Sequence, residues 1–286
     1  MFQGRRIGVV VPAYNEEKLI PSTINNIPSL VDQIYVINDG STDHTHDVVA
    51  QICRHNDKIV LVEHTTNGGV GAAIMTGYRK CLEDGMHIAV VMAGDDQMDP
   101  AQIPNLLEPI VKGEAGYSKG NRMSSRKHME GMSAWRRFGN WLLKWATRVS
   151  SGNYKIMDPQ NGYAAVSAEA LRRIDIDSVY TYYGYCNDLL VKFAVAGVGV
   201  VEVPMPARYQ GEKSKIKYSR YIVKVTWLLL RDFVWRTRTE WTSSGLSERK
   251  DLLRDGLCTG TGLVWNPWNP RGSNGGNRRG LWRLVR

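Results

Sequence analysis

The sequence predicts an α/β fold with a doubly wound, mostly parallel sheet that is flanked by helices. Three observations predict it. Short runs rich in valine and isoleucine alternate with segments of helical periodicity through the first hundred residues. The links between these segments are short, as they are in the strand–helix–strand units of parallel sheets. The apolar runs also end abruptly in proline, glycine or polar side chains, which are typical of strand ends.

The predicted elements follow in chain order. Four strands are predicted first, in RRIGVVVPAYNEE (about 6–11), QIYVINDGSTD (33–37), KIVLVEH and HIAVVMAGDD. The helices between them begin in EKLIPSTINNI, behind the potential caps Ser41 and Thr42, and in the glycine-rich NGGVGAAIMTG. Past residue 120 the predicted elements are a tryptophan-rich helix in RRFGNWLLKWATRVS, a strand after DPQNGY, helices in AEALRRI and YYGYCNDLLVKFAVAG, a strand in VGVVEVPMPARYQ and a long helix at 219–236.

The chain is predicted to have three segments: an α/β domain at 1–218, an amphipathic helix at 219–240, and a disordered or aberrant tail at 241–286. At about 100° per residue, four cations of the helix fall within about 40° of one another, and much of the remaining face is apolar. This pattern predicts a helix at a membrane surface; a core helix with a solvated basic edge is the alternative. The cations are Arg220, Lys224, Arg231 and Arg238.

Composition and charge narrow the class of protein. A hydrophobic content of 43% in 286 residues excludes a disordered chain. No stretch reaches the roughly 18 uncharged apolar residues that a membrane-spanning helix needs. Four scattered cysteines predict reduced thiols in the cytoplasm rather than disulfides or a zinc site. The tail carries eight basic and three acidic residues, more than half of the net charge of +9. The charge is therefore poor evidence for a nucleic-acid partner, and none is expected.

Oxygen-bearing side chains follow three of the predicted strands. Glu16, Asp39 and Asp95 each come just past the end of a different strand, so a doubly wound sheet would bring them to one crevice. In GDDQMDP, Asp95 and Gln97 alternate along an extended chain and can face the same side. Their oxygens suit Mg²⁺ or Mn²⁺, while Asp96 would face elsewhere, toward a sugar hydroxyl. A solvated turn is the alternative for this stretch, and helix capping is the alternative to nucleoside binding at Asp39.

The glycine-rich NGGVGAAIMTG does not match a dinucleotide-binding motif. Counting from Gly69, Ile74 occupies the position of the last glycine of G-x-G-x-x-G, and the stretch follows the third strand rather than the first. It also lacks the lysine of phosphate-binding loops. A tight turn with close helix–strand packing explains its glycines.

Seven stretches, in this order and at these intervals, resemble a known family: VVVPAYNEE, VINDGSTDHT, NGGVGAAIMTGY, GDDQMDP, KGNR, NGY and NDLLVKFAVAG. Together they resemble the family-2 glycosyltransferases, and the resemblance covers roughly residues 5–238. Within that family they resemble the polyprenyl-phosphate sugar transferases, such as dolichyl-phosphate mannose synthase. The resemblance implies a GT-A-like fold and Mg²⁺ or Mn²⁺ as cofactor.

The resemblance also implies roles for individual residues. The nucleotide of the donor would be bound by Pro12, Ala13, Tyr14, Glu16, Asp39 and Asp95. Asp95 and Gln97 would ligate the metal. Arg122 would contact a phosphate, and Asp188 would lie near the acceptor. A basic loop near the phosphates would contain Arg208, Ser214 and Lys215.

Three positions depart from the family pattern. Ala93 stands at the first aspartate of the D-x-D metal motif, so fewer protein ligands remain. Asn187 stands where many relatives have a second carboxylate, and the basic loop has one extra residue.

The implied activity is the inverting transfer of a sugar from a nucleotide-sugar donor to a polyprenyl-phosphate lipid. The enzyme would be peripheral, at the cytoplasmic face of the cell membrane, where helix 135–149 is a second candidate lipid-facing element. A saccharide hydroxyl is the alternative acceptor, and it would need Asp188 to take its proton. A lipid phosphate is already charged near neutral pH, so Asp188 would then orient groups. The further alternative is an inactive nucleotide-sugar-binding protein, weakened at the metal site by Ala93.

Overall fold

The computed structural model describes residues 1–125, 134–206 and 218–258. Within these residues, seven strands form one sheet. The strands are β1 (Ile7–Ala13), β2 (Gln33–Asn38), β3 (Ile59–Glu63), β4 (Ile88–Val91), β5 (Tyr117–Asn121), β6 (Ala164–Ser167) and β7 (Val200–Pro204). The helices are α1 (Ile20–Asn25), α2 (Thr45–Cys53), α3 (Val70–Glu83), α4 (Ile103–Val111), α5 (Ala134–Ser151), α6 (Ala168–Arg172), α7 (Tyr185–Val195) and α8 (Tyr218–Cys258).

The sheet is mostly parallel, as predicted. Its order is β3-β2-β1-β4-β6-β5-β7. Strand β1 pairs in parallel with β2 on one side and with β4 on the other, for example Val9 with Ile34 and with Val90. Only β6 runs against its neighbours β4 and β5. The prediction of a doubly wound α/β fold is therefore confirmed.

Helices cover both faces of the sheet, which explains why the central strands are apolar on both sides. Successive residues of β1 alternate between the two cores: Val10 packs with residues of α3 and α7, whereas Val9 and Val11 pack with residues of α1, α2 and α4. Helix α3 approaches β1 closely, because a Cβ added at Gly77 would overlap the side chain of Val10. This is the close helix–strand packing that the glycine-rich stretch predicts.

The topology brings several chain segments to one edge of the sheet. The chain moves from β1 to β2 and β3 on one side and returns to β4 on the other, so β1 and β4 flank a switch point. The carboxyl ends of β1, β2, β4, β5 and β7 all lie at this edge, together with the start of the antiparallel β6. Ligands of doubly wound sheets bind at such an edge.

The last helix is longer than predicted. Helix α8 runs from Tyr218 to Cys258 rather than ending near residue 240. The chain divides into two units, Met1–Trp241 and Thr242–Arg286. The end of α8 belongs to the second unit, and residues 259–286 lie outside the described residues. The predicted segment boundaries and the predicted disorder of the tail therefore stay predictions. Among the described residues, no helix is both long and apolar enough to cross a membrane.

Candidate active site

The loops that follow β1 and β2 are tied together by backbone-to-side-chain hydrogen bonds. The amide of Asn15 donates to Ser41 Oγ at 3.0 Å, and the amide of Thr42 donates to Asn15 Oδ1 at 2.8 Å. The amide of Glu16 donates to Thr45 Oγ1 at 2.9 Å. Asn15 adopts a positive φ of 56°, which asparagine tolerates better than most residues. The predicted nucleotide loop, Pro12 to Glu16, is thus held in one conformation.

Asp39, which directly follows β2, binds the glycine-rich turn at this edge of the sheet. Its carboxylate is nearly buried, with 3% of the residue exposed. One oxygen accepts from the Gly68 amide at 2.9 Å and contacts His64 Nδ1 at 2.7 Å, and the other accepts from the Gly69 amide at 2.9 Å. The same residue donates its amide to Ala13 O at 2.9 Å. The carboxylate predicted to contact a nucleoside is therefore engaged in fixing the glycine-rich turn, and its predicted role stays a prediction.

The loop after β4 carries the predicted metal ligands. The Gly94 amide donates to Pro12 O at 3.3 Å, and Thr23 Oγ1 donates to Gly94 O at 3.1 Å, so this loop is joined to β1 and α1. Asp95 accepts the amide of Gln97 at 3.2 Å. Asp96 has a positive φ of 56°, and its carboxylate lies 3.5 Å from Ser22 Oγ of α1. Loops carrying Glu16, Asp39 and Asp95 are therefore brought together.

The side-chain oxygens in this loop suit a cation that takes its remaining ligands from the substrate. Among the described residues, no group of three or more His, Cys, Asp or Glu side chains could hold a metal ion. Asp95 and Gln97 offer one carboxylate and one amide oxygen, while Ala93 offers no side-chain ligand. Magnesium-type sites commonly use one or two carboxylates and take their other ligands from phosphates and water.

Arg122 lies just past β5 at the same edge. Its guanidinium forms a two-bond pair with Asp158, at 2.8 Å from Nε and 3.0 Å from an Nη, and its amide donates to the same carboxylate at 3.0 Å. Asp158 is fully buried. Burial by itself raises the pKa of the Asp158 carboxyl, but Arg122 and the nearby Lys119 outweigh it and hold that pKa below its ordinary value. Arg122 is thereby fixed in orientation.

The buried Lys119 and the half-buried Glu202 complete this network. Lys119 Nζ donates to Asp158 O at 2.6 Å, and Glu202 accepts the amides of Met157 and Asp158 at 2.8–3.0 Å. Burial lowers the pKa of Lys119 and raises that of Glu202. Asp158 and Glu202 are not among the site residues predicted from the sequence. The available signals were the aspartate that opens the turn DPQNGY and a single acid inside the apolar VGVVEVP.

Asp188 is also buried, with 1% of the residue exposed. It accepts the amide of Tyr180 at 2.6 Å and forms ion pairs with Lys192 at 3.5 Å and Arg231 at 3.8 Å. Burial raises the pKa of its carboxyl, and these partners oppose the rise. Because Arg231 belongs to α8, the last helix reaches this carboxylate. The contacts suit an orienting role better than that of a solvent-facing base.

The neighbouring Asn187 has no exposed surface. It donates to Thr147 Oγ1 at 2.6 Å and accepts from Gln160 Nε2 at 3.2 Å. An uncharged residue suits this position, because no cation is among these two partners. The predicted basic-loop residues Arg208, Ser214 and Lys215 lie outside the described residues, and their roles stay predictions.

Comparison with known families identifies the chain. Residues 8–175, more than half of its length, match the model of Glycosyl transferase family 2. The chain belongs to this family. A UDP-N-acetylglucosamine–dolichyl-phosphate N-acetylglucosaminyltransferase of Methanococcus voltae is 30% identical over 216 residues, which cover 71% of this chain and 86% of the relative. An undecaprenyl-phosphate mannosyltransferase of Micrococcus luteus is 30% identical over 203 residues, covering 70% and 82%.

Solved structures support the fold. A glucosyl-3-phosphoglycerate synthase of Mycobacterium tuberculosis, in complex with Mn²⁺, UDP and phosphoglyceric acid, superposes with a TM-score of 0.59 at 21% identity. The superposition covers 82% of this chain and 78% of the other. The predicted GT-A-like fold and the family-2 glycosyltransferase assignment are confirmed.

This glycosyltransferase has an exposed aromatic surface on α5 and α8, called here the α5–α8 surface. The two helices pack through Leu143, Val225 and Leu229, and Ser150 Oγ donates to Leu229 O at 2.7 Å. The apolar side chains left exposed are Phe138, Trp141, Leu142, Trp145 and Val149 on α5, and Val223, Trp227, Leu230, Val234, Trp235 and Trp241 on α8. Cations lie among them; Arg148 lies over the Trp145 ring, for example, at 5.0 Å.

Helix α8 has a buried apolar face and exposed apolar side chains, and its predicted position at a membrane surface stays a prediction. Val225, Leu228 and Leu229 are buried, as in a core helix, whereas Trp227 is 71% exposed beside them. At its start, Tyr221 donates its hydroxyl to Gln160 Oε1 and so joins the surface to the edge of the sheet.

Replacing Asp232 of α8 with asparagine is expected to stabilise the protein above about pH 6 and to change little near pH 4. Asp232 is 3% exposed, and burial and the charge of Asp188 raise its pKa from 3.8 to about 6. A raised carboxyl pKa means that the wild type loses stability as the pH rises from about 4 to about 6, by on the order of 1–3 kcal/mol. Asparagine cannot ionise and avoids this loss.

Thermal unfolding across this pH range measures the effect of Asp232→Asn. Asp57→Asn, at an exposed carboxylate, is the control variant. Equal pH dependence in the wild type and in Asp232→Asn would contradict the expected result.

Proposed function

We propose that this glycosyltransferase transfers a sugar from a nucleotide-sugar donor to a polyprenyl phosphate, with inversion, while bound peripherally at the cytoplasmic face of the cell membrane. The observation that carries the proposal is the direct connection between the α5–α8 surface and the edge of the sheet. Tyr221 contacts Gln160 there, and Arg231 pairs with Asp188. Relatives in Methanococcus voltae and Micrococcus luteus bear the names of transferases acting on dolichyl and undecaprenyl phosphate, which supports a lipid phosphate as acceptor.

The donor would bind across the loops that follow β1, β2 and β4. The nucleoside would lie against Pro12–Glu16, where the ring of Tyr14 is 40% exposed and can stack on a base. Its diphosphate would reach Asp95 and Gln97, which would hold a divalent cation. When bound, that cation would supply positive charge to stabilise the departing diphosphate. Mn²⁺ in the complex of the mycobacterial synthase supports this choice of cofactor class.

Arg122 would stabilise the leaving group from the protein side. Bond breaking places negative charge on the diphosphate, and a preorganised cation lowers the energy of that state without having to reorient. Asp158 supplies the preorganisation through its two bonds to the guanidinium. Lys119 is fully buried, and we assign it the role of supporting Asp158 rather than contacting the substrate.

The acceptor phosphate would attack the anomeric carbon directly. An oxygen of the phosphate forms the new bond while the bond to the diphosphate oxygen breaks on the opposite side, so the configuration inverts. The second ionisation of a phosphate monoester falls near pH 6, and the nucleophile therefore arrives charged. No base is required, which agrees with the buried position of Asp188 and its three partners.

The test is a transfer assay with the purified full chain. Several nucleotide sugars are supplied with Mn²⁺ or Mg²⁺, with and without polyprenyl phosphate in vesicles, and products are identified by mass spectrometry. We expect one donor to give a polyprenyl-phosphate sugar, with release of nucleoside diphosphate that depends on the lipid. Transfer only to saccharide hydroxyls would favour the alternative acceptor. Turnover only in the Ala93→Asp variant would favour a nucleotide-sugar-binding protein without activity.

Replacing both Trp141 and Trp227 with serine is expected to weaken binding to anionic vesicles by about tenfold or more, because aromatic rings at an interface contribute much of the binding free energy. The folded state should be little affected, since these side chains are 49% and 71% exposed. Vesicle sedimentation measures the change. Comparison with neutral vesicles shows how much of the binding comes from the basic side chains. Unchanged binding would contradict the assignment of this surface.

A further inference from the structure

Two glycines of the sequence NGGVG face a distant segment rather than a substrate loop or a strand. A Cβ added at Gly69 would lie 2.6 Å from Thr181 O and 2.7 Å from Tyr182 Cδ1. A Cβ added at Gly71 would overlap Tyr180 O and lie 2.8 Å from the Thr181 carbonyl carbon. Real Cβ atoms do not approach other atoms this closely, so only glycine permits the contact. The segment 180–184, which leads into α7, is thus seated on the glycine-rich turn 67–71.

A hydrogen bond holds the same contact. The amide of Ala72, in the first turn of α3, donates to Thr181 O at 3.0 Å. Amides in the first turn of a helix lack partners within the helix, and the cap residue Gly69 has no side chain to supply one. The carbonyl of segment 180–184 supplies one instead. The contact therefore stabilises the first turn of α3 and also holds segment 180–184 in place.

Each half of this contact is anchored by a buried carboxylate. Asp39 accepts the amides of Gly68 and Gly69 at 2.9 Å on the side of the turn. Asp188 accepts the amide of Tyr180 at 2.6 Å on the side of the segment. Both carboxylates are at most 3% exposed. A continuous path of direct contacts thus runs from the end of β2, through the turn and the segment, to Asp188.

We propose that the turn 67–71 and the segment 180–184 form one docking unit that couples the donor side of the crevice to Asp188, with Asp39 and Gly71 as positioning residues. The proposal rests on the proposed function for its effect on catalysis, but not for the docking itself. A methyl group at residue 71 pushes segment 180–184 away and draws the Tyr180 amide from Asp188. That carboxylate then loses a buried partner, and its placement beside Lys192 and Arg231 changes.

Hydrogen exchange tests the docking without any substrate. In Gly71→Ala we expect the Tyr180 amide to exchange about tenfold faster or more, relative to core amides of β2, because its acceptor is displaced. Gly77→Ala is the matched control, since it adds a methyl group to the same helix but against Val10 of β1. In the control, the exchange of Tyr180 relative to β2 should stay within about threefold of wild type. An unprotected Tyr180 amide in the wild type, or equal effects of the two variants, would overturn the proposal.

Kinetics test the coupling to Asp188. Gly71→Ala is expected to lower kcat about tenfold at saturating donor. In an Asp188→Asn background the same change should lower kcat by less than about threefold, because both changes act on one carboxylate. If Gly71→Ala lowers kcat by the same factor in the wild type and in the Asp188→Asn background, the coupling is overturned. Absence of transferase activity in the wild type would instead remove the proposed function, and the exchange measurement would still decide whether the docking unit exists.

Discussion

Replacing Asp158 with asparagine is expected to lower kcat by about 100-fold or more. Asparagine keeps the size of the side chain but removes the charge that holds the guanidinium of Arg122 through two bonds. Arg122 then has no fixed orientation toward the departing diphosphate. Steady-state kinetics with saturating donor measure the loss. Because Arg122 is proposed to act mainly on the charge that develops during reaction, kcat should fall more than the affinity for the donor.

The same variant is expected to lower the free energy of unfolding by about 3 kcal/mol near neutral pH, the usual cost of removing one partner of a buried ion pair. Lys119 and Arg122 would lose their shared carboxylate. The pKa of Asp158 is held below its ordinary value of 3.8, so the pair stabilises the wild type above that pH and its contribution is lost as the pH falls further. The difference in the free energy of unfolding between the wild type and Asp158→Asn should therefore shrink in strong acid.

A surface ion pair provides the control for Asp158→Asn. Glu169 of α6 pairs with Arg173, which directly follows that helix, and the two side chains are 76% and 49% exposed. Glu169→Gln should change the free energy of unfolding by less than about 1 kcal/mol and leave kcat unchanged. An Asp158→Asn protein with normal kcat would contradict the positioning of Arg122, whatever its stability.

Replacing Asp95 with asparagine is expected to lower kcat/KM about 100-fold to 1000-fold in limiting Mn²⁺. With Ala93 beside it, Asp95 is the carboxylate that we assign to the cation, and Gln97 cannot replace its charge. Raising the Mn²⁺ concentration should recover part of the activity, because the diphosphate supplies the other ligands. Activity assays across a range of Mn²⁺ concentrations test this expectation.

Asp96→Asn is the matched control for the metal site. Asp96 is adjacent in sequence, but its carboxylate lies near Ser22 Oγ of α1. Its replacement should change KM for the donor and leave the Mn²⁺ dependence as in wild type. If Asp95→Asn and Asp96→Asn share one Mn²⁺ dependence, the assignment of the cation ligand is wrong.

The sequence predicts the first half of the fold well because its strands are apolar on both faces. Such runs, as in β1 and β2, are separated by short polar links, and the pattern is local. Strand β5 was missed because YSKGN is polar, although all five residues are buried. Inside that strand, the ammonium group of Lys119 donates to Asp158 O at 2.6 Å, and a partner 39 residues away leaves no local signal.

The candidate site was likewise predictable from the sequence only in part. The sequence predicts that loops with Glu16, Asp39 and Asp95 meet, because parallel strands end at one edge. It does not predict which way each carboxylate faces. Asp39 is engaged with the backbone amides of Gly68 and Gly69, a segment that only the tertiary structure brings near. Asp188 is engaged with the amide of Tyr180 and with Arg231 of the last helix. Asp158 was missed for the same reason, since its partner Arg122 is 36 residues away.

Calorimetric titration of nucleoside diphosphates into the purified protein, with and without Mn²⁺, tests the central claim most directly. The claim is that the loops after β1, β2 and β4 bind one diphosphate and one cation together. We predict that one nucleoside diphosphate binds about tenfold more tightly with Mn²⁺, that Mn²⁺ alone binds weakly because the protein supplies few ligands, and that Asp95→Asn abolishes the difference. Tight binding of Mn²⁺ without nucleotide, or no binding of any nucleoside diphosphate, would contradict the account.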